Sequence, residues 1–269
     1  MKLLLASTSS IHGHSYLSYF KDAWTSHFKD IYGPVVFIPY ARPGGLSLKK
    51  YTQIAAAAFN SQGIELRGIQ TFDNPQQAVE NAGGFFCGGG NTFVLLKTLL
   101  ENKTYEHIDR SVREGKPYMG SSAGSNIAGK TIGTTNDMPI VYPPKFDSFN
   151  WVPFNINPHY IDGKANTTHK GETRQTRIQE FHEFNETPVL GLREGSWIES
   201  DGIKHVLKGE LSARIFQPNN DPIEIPNGIL RLLLITLFTF NEEVHLPSGQ
   251  LREQICITNS RWLGNRQKS

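Results

Sequence analysis

Short unbroken apolar runs alternate with stretches of helical spacing through the first half of the chain. Lys2 to Ser7, Val35 to Pro39, Ile64 to Ile69 and Gly84 to Cys87 read as strands. So does Lys116 to Met119, just before a glycine-serine turn. Between them, Tyr16 to Ile31 places aromatic residues at helical intervals, and Ser47 to Phe59 carries four consecutive alanines that favour helix. Asn74 to Asn81, Phe93 to Leu100 and Tyr105 to Glu114 complete the helical set. Strands alternating with helices across short crossovers predict an α/β fold with a parallel sheet covered on both faces. Functional groups then belong at the carboxyl ends of the strands. Two glycine-rich turns, Gly88 to Thr92 and Gly120 to Asn126, follow predicted strands and can share one crevice.

After Thr131 the pattern changes. Pro139 to Pro153 is rich in proline and aromatic residues. Trp151 to Ile156 reads as a strand and Arg177 to Phe184 as a helix. Pro188 to Leu192, Trp197 to Glu199, Lys204 to Leu207 and Ala213 to Phe216 read as strands, with turns at Gly202 and Gly209. No internal repeat or linker interrupts the chain, so a single domain is the simpler organisation.

Composition narrows the function classes. The 269 residues are 38% hydrophobic and 19% charged, an ordinary globular balance, with a net charge of +2. Lysine and arginine are spread along the chain, which argues against a nucleic-acid partner or a polybasic membrane contact. Cys87 and Cys256 form neither a metal spacing nor a disulfide framework, and a reducing cytoplasm is the expected location. The opening run Leu3 to Ala6 is too short for a signal-peptide core. Ile229 to Phe240 is apolar but falls short of the roughly 20 residues a membrane-spanning helix needs.

The candidate chemistry centres on Gly120-Ser121-Ser122-Ala123-Gly124, a G-x-S-x-G pattern. Such a turn lifts a serine hydroxyl out between strand and helix, with glycines where a Cβ would clash. Ser122 is therefore the candidate nucleophile, with Ser121 beside it. A serine needs a base, and the base an orienting group. Six of the nine histidines lie in helical or loop contexts where a solvated or half-buried role is usual. His159 follows a predicted strand and Pro158; His169 is the second choice. Glu194, between a buried strand and a turn, competes with Asp162 for the third place. The order serine, histidine, acid differs from the α/β-hydrolases, whose acid precedes the histidine. The triple glycine at Gly88 lacks both the dinucleotide spacing and the Walker lysine, which disfavours a phosphate loop.

Together, GGGNTFVLLKTL, GSSAGSNIAG, FNINPHYID, HKGETRQTRIQEF and LREGSWI, in this order, resemble the peptidase E family of aspartyl dipeptidases, from about Lys2 to about Ile225. The resemblance implies a three-layer sandwich with a mostly parallel central sheet, similar to the class-I glutamine amidotransferases. It implies a Ser-His-Glu triad at Ser122, His159 and Glu194, and removal of N-terminal aspartate from dipeptides without metal or cofactor. Backbone N–H groups of Ala123 and of Gly89 or Gly90 are then expected to meet the oxyanion. Arg174 is the candidate for the aspartate carboxylate, ahead of Arg177; Glu172 or Thr173 is expected to hold the free α-amino group. Residues 1–227 form the expected catalytic domain, and 228–269 an extension of unassigned role where the family pattern stops. A monomer or small homo-oligomer acting on small peptides is expected. A cyanophycinase-like peptidase cutting β-aspartyl links, or a non-catalytic binding protein on the same scaffold, are the rival readings.

Overall fold

A computed structural model describes residues 1–163 and 171–230. The chain opens with β1 (Lys2–Ala6), a 3-10 turn (Ser18–Phe20) and α1 (Lys21–His27), then β2 (Val35–Ile38), α2 (Leu48–Asn60) and β3 (Leu66–Gly68). Next come α3 (Pro75–Glu80), β4 (Gly84–Cys87), α4 (Thr92–Glu101) and α5 (Tyr105–Arg113). β5 (Pro117–Ser121) runs directly into the single turn α6 (Ala123–Asn126). The second half holds β6 (Asn155–Pro158), α7 (Arg174–His182), β7 (Val189–Leu192), β8 (Ser196–Ser200) and β9 (His205–Gly209). It closes with β10 (Ala213–Phe216), β11 (Ile223–Ile225) and β12 (Gly228–Ile229).

An eight-stranded sheet takes the order β12-β9-β8-β1-β5-β4-β2-β3. From β1 to β3 every neighbouring pair is parallel, as the alternation of strands and helices predicts. β8, β9 and β12 extend it antiparallel from the other side of β1. A four-stranded sheet, β11-β10-β7-β6, joins β6 and β7 in parallel and adds β10 and β11 antiparallel.

One face of the large sheet offers Leu4, Ala6, Val35, Phe37, Phe86 and Met119 to Trp24, Phe28, Tyr51 and Phe59 from α1 and α2, all buried. The alternation of strand side chains sends Leu3, Leu5, Val36, Ile38, Phe85 and Tyr118, also buried, to the opposite face. Fully burying one such side chain contributes roughly 1.5–3 kcal/mol. These two apolar layers fix β5, and with it the turn that follows, in the middle of the large sheet.

Several expected elements shift. The aromatic run from Tyr16 holds a 3-10 turn and a seven-residue helix, because Leu17 at φ 60° breaks the earlier part. Trp151, Val152 and Phe154 are buried in irregular backbone, and the strand begins only at Asn155. α7 starts at Arg174, three residues before the expected Arg177, since the Thr173 hydroxyl accepts the N–H of Thr176 and caps it. β12 pairs with β9, and Leu230 is buried there. Most of the apolar run from Ile229 to Phe240, and Cys256, lie outside the described residues. Among the described residues no helix is long and apolar enough to cross a membrane.

Candidate active site

Ser122 stands between β5 and α6 at φ 53° and ψ −112°. Its N–H continues the strand ladder to the Ala6 carbonyl at 3.1 Å, and its own carbonyl accepts from Ser125 and Asn126 as the helical turn begins. Little space surrounds this elbow. A Cβ on Gly120 would lie 2.4 Å from the Gly124 carbonyl oxygen, and one on Gly124 would lie 2.2 Å from that of Cys87. Only glycine permits the close approach, which accounts for both glycines of G-x-S-x-G. Ser121 is fully buried, its hydroxyl unpartnered among the described residues, whereas Ser122 is partly open.

His159 follows β6 directly, also with positive φ, 54°. Its backbone N–H donates to Ser7 Oγ at 2.9 Å, and that hydroxyl donates to the Leu192 carbonyl at 2.8 Å. Ser7 thus ties the end of β1 to the ends of β6 and β7, which lead to His159 and Glu194. Asn136 Nδ2 donates to the Pro158 carbonyl at 2.7 Å and braces the residue before His159. In the tautomer that serves both contacts, Ser122 Oγ–H donates to His159 Nε2 at 2.8 Å and His159 Nδ1–H donates to Glu194 Oε1 at 2.6 Å. Serine, imidazole and carboxylate form one relay, drawn from the ends of strands in both sheets. Glu194 lies two residues past β7, in a turn closed by Gly195 at φ 87°.

Gly89 presses against Ser122: a Cβ there would stand 2.9 Å from Ser122 Cβ. Gly90, at φ 143°, would meet the Ala41 carbonyl oxygen at 2.1 Å. Among the described residues nothing accepts from the N–H groups of Gly89, Gly90 and Ala123. These three donors near the serine are unspent.

Arg174 opens α7, half-buried, with no carboxylate within ion-pair distance among the described residues. Burial, then the neighbouring Arg177, push its pKa below the ordinary arginine value, while Asp137 opposes them. Thr173 caps the helix, and its Cγ2 would lie 3.0 Å from a Cβ on Gly163, which puts the start of α7 beside the loop after His159. Glu172 and Arg177 are exposed and pair with each other at 3.5 Å. Asp162, the competitor of Glu194, bonds instead to Arg193, whose guanidinium holds that carboxyl below the usual range. His169 lies outside the described residues.

The family model of Peptidase family S51 matches residues 3–207. The chain belongs to peptidase family S51. Peptidase E of Streptomyces coelicolor is 44% identical over 228 residues, 85% of this chain and 92% of that protein. The Drosophila melanogaster protein named "Probable alpha-aspartyl dipeptidase" is 44% identical over 235 residues, 86% of this chain and 97% of its own length. The solved structure of a peptidase from an acI-B1 Actinobacterium matches with a TM-score of 0.64 at 15% identity, over 85% of this chain and 96% of that one. That likeness is one of fold, and the architecture is the expected α/β sandwich around a mostly parallel sheet, similar to the class-I glutamine amidotransferases.

Some residues that shape this S51 site gave no signal in the sequence. Asp137 accepts from the Thr92 N–H and hydroxyl, both at 2.7 Å, and from the Thr135 hydroxyl at 2.9 Å. With Asn91, whose side chain donates to the Met138 carbonyl, it fastens the glycine turn to the loop before β6. Its partner Thr92 lies 45 residues away, beyond any spacing rule. A cavity of about 520 Å³, lined by Tyr19, Trp197, Lys208 and Leu211 among others, opens on Glu194.

Proposed function

We propose that this S51 peptidase removes N-terminal aspartate from dipeptides, with Ser122, His159 and Glu194 as its triad. The Ser122–His159–Glu194 relay, closed at 2.8 and 2.6 Å without a rearrangement, is the observation that carries the reading. Ser122 Oγ attacks the peptide carbonyl carbon as its proton passes to His159 Nε2. Glu194 holds the tautomer and steadies the imidazolium. Gly89 or Gly90, with Ala123, donates to the oxyanion; one such donor is typically worth about 10²–10³ in kcat. His159 then protonates the leaving amine, and water resolves the aspartyl-enzyme ester by the same route in reverse.

The half-buried guanidinium of Arg174, which has no ion-pair partner among the described residues, supports aspartate at the first position. A cation taken partly out of water without a partner is a seat for an anion, and its planar fork fits a carboxylate. Glu172 or Thr173 remains the proposed partner of the substrate's α-amino group. The catalytic unit spans the expected residues 1–227 together with β12 and Leu230, which complete the large sheet; the enzyme is cytoplasmic, a monomer or small homo-oligomer, and needs no metal, nucleic acid or membrane.

A dipeptide panel tests this. Purified enzyme is given α-Asp-Leu, β-Asp-Leu, Glu-Leu, Ala-Leu and N-acetyl-Asp-Leu, and released leucine is measured. Cleavage concentrated on α-Asp-Leu is expected. Preference for β-Asp-Leu would transfer the enzyme to the cyanophycinase-like reading, and no cleavage of any member by a folded, fluorophosphonate-silent protein would remove the catalytic one.

A further inference from the structure

The triad carboxylate is poorly held by its own contacts. Glu194 is about half exposed and borders an open cavity. Among the described residues its only side-chain hydrogen bond is the one to His159. An exposed side chain on a turn samples several rotamers, yet orientation of the imidazole requires one. Something else must fix the turn.

The preceding residue has the opposite character. The Arg193 side chain is only 13% exposed. Its guanidinium grips Asp162 with two parallel bonds, Nε to Oδ2 and Nη2 to Oδ1, each 2.8 Å. It also donates to both oxygens of Glu224, at 3.0 and 2.9 Å, and to the Ser212 carbonyl and hydroxyl at 2.7 and 3.0 Å. Arg214 Nε donates to Glu224 at 2.6 Å, so the second carboxylate is itself anchored across the β10–β11 pair. Tyr160, the residue after His159, lies under the guanidinium with its ring centre 5.6 Å away. Asp162 and Tyr160 belong to the loop that carries His159, and Arg193 adjoins Glu194. The ion cluster thus joins the two loops whose side chains must meet.

We propose that Arg193, clasped by Asp162 and Glu224, is a positioning residue that holds the Glu194 turn in register with His159. The inference rests on the triad reading above. Bidentate geometry matters here more than charge: a planar fork restrains direction as well as distance, and lysine cannot reproduce it. Arg193 touches none of the reacting groups, and its effect on the reaction passes through Glu194.

A double-mutant cycle separates this role from general support of the fold. kcat and KM on Asp-Leu are measured for Arg193→Gln, Glu194→Gln and the pair, with thermal melts of each. Arg193→Gln is expected to lower kcat by about 10²-fold, as for a catalytic group displaced by about an ångström, with KM within about twofold. Arg193→Lys should fall between that variant and wild type. In the Glu194→Gln background the same substitution should cost less than about threefold, because the group it positions is already gone. Asp162→Asn leaves the Glu224 and Ser212 contacts in place, stays folded, and should show a smaller loss with the same non-additivity. An equal kcat loss in both backgrounds, or unchanged kcat in a folded Arg193→Gln protein, overturns the proposal. Should wild type cleave no aspartyl dipeptide, the substrate reading fails alone; the rate of Ser122 labelling by a fluorophosphonate then carries the same cycle.

Discussion

His27 gives the molecule a built-in sensitivity to mild acid. It is buried on α1, and its Nε2–H donates to the Tyr118 carbonyl of β5 at 3.0 Å. Burial, with Lys2 adding to it, pushes its pKa from 6.5 down to about 3. The folded ring therefore stays neutral at pH 5, while the same ring in the unfolded chain is protonated there. Between about 3 and 6.5 the unfolded state binds the extra proton, so stability falls as pH falls. At pH 5 the deficit is set by the distance below 6.5, at 1.36 kcal/mol per unit, and reaches about 2 kcal/mol relative to pH 7.5. For a domain of this size that lowers Tm by about 4–8 °C. His27→Gln keeps an N–H donor for Tyr118 and removes the titration. Thermal melts at pH 7.5 and 5.0 should show the wild type losing about 2 kcal/mol more than the variant. His182 and His205, also lowered by burial, are present in both proteins and cancel in the difference. Parallel losses in the two proteins would refute the reasoning. Tyr118 lies on β5, which leads directly into Ser122, so acid unfolding there dismantles the candidate site.

The other predictions concern the site. Ser122→Ala should lower turnover of Asp-Leu by at least about 10⁴-fold while keeping a cooperative melt; retained turnover would mean another nucleophile. Arg174→Ala should reduce kcat/KM on Asp-Leu by about 10- to 100-fold, as for a lost charged hydrogen bond, and spare any Ala-Leu cleavage, whereas equal losses would make Arg174 structural. Gly89→Ala puts a methyl 2.9 Å from Ser122 Cβ and should cut kcat by about 10²-fold, while Gly45→Ala, with nothing within 4 Å, serves as the silent control. Arg193, then the Ser212 and Arg214 hydrogen bonds, hold Glu224 at about 2 against 4.5 unfolded, so its contribution is present above 4.5 and lost as pH falls toward 2. Glu224→Gln should flatten that part of the melting profile, and an unchanged slope would deny the coupling.

The parallel half of the fold was legible because buried parallel strands tend to read as apolar runs, as β1, β2 and β4 do, while β5 was placed by the glycine-serine turn that follows it. The same rule misleads where burial comes without a strand. Trp151 is buried by stacking on Phe149, which stacks in turn on Tyr105, and the backbone there is irregular. β6 reads poorly for the converse reason: its buried Asn155 and Asn157 bond to Thr131, Thr134 and Asn136 rather than to an apolar layer. β11 is short and exposed, and leaves no pattern at all. The relay was legible through motifs; its supports were not. Asp162 read as a rival for the imidazole, although it lies on the proper loop, because sequence order cannot reveal that Arg193 claims it first.

Two of the three relay residues, Ser122 and His159, have positive φ without being glycine. Such conformations typically cost of order 1–3 kcal/mol each and persist only where the surroundings leave no alternative. The surroundings here are specific. Ser122 is bound by its N–H to β1 and by its carbonyl to α6, so relaxing φ would break the ladder and the helical turn together. His159 is bound through Ser7, which also bonds to the strand bearing Glu194. Both strained residues are therefore fastened to the carboxyl end of β1, next to the central strand. Alanine at Ser7 would free the His159 N–H and the Leu192 carbonyl at once. If strain at His159 is maintained by that bridge, Ser7→Ala should lower kcat by about 10-fold or more with little change in KM, and a full-activity Ser7→Ala enzyme would show that β6 and β7 hold the imidazole without it.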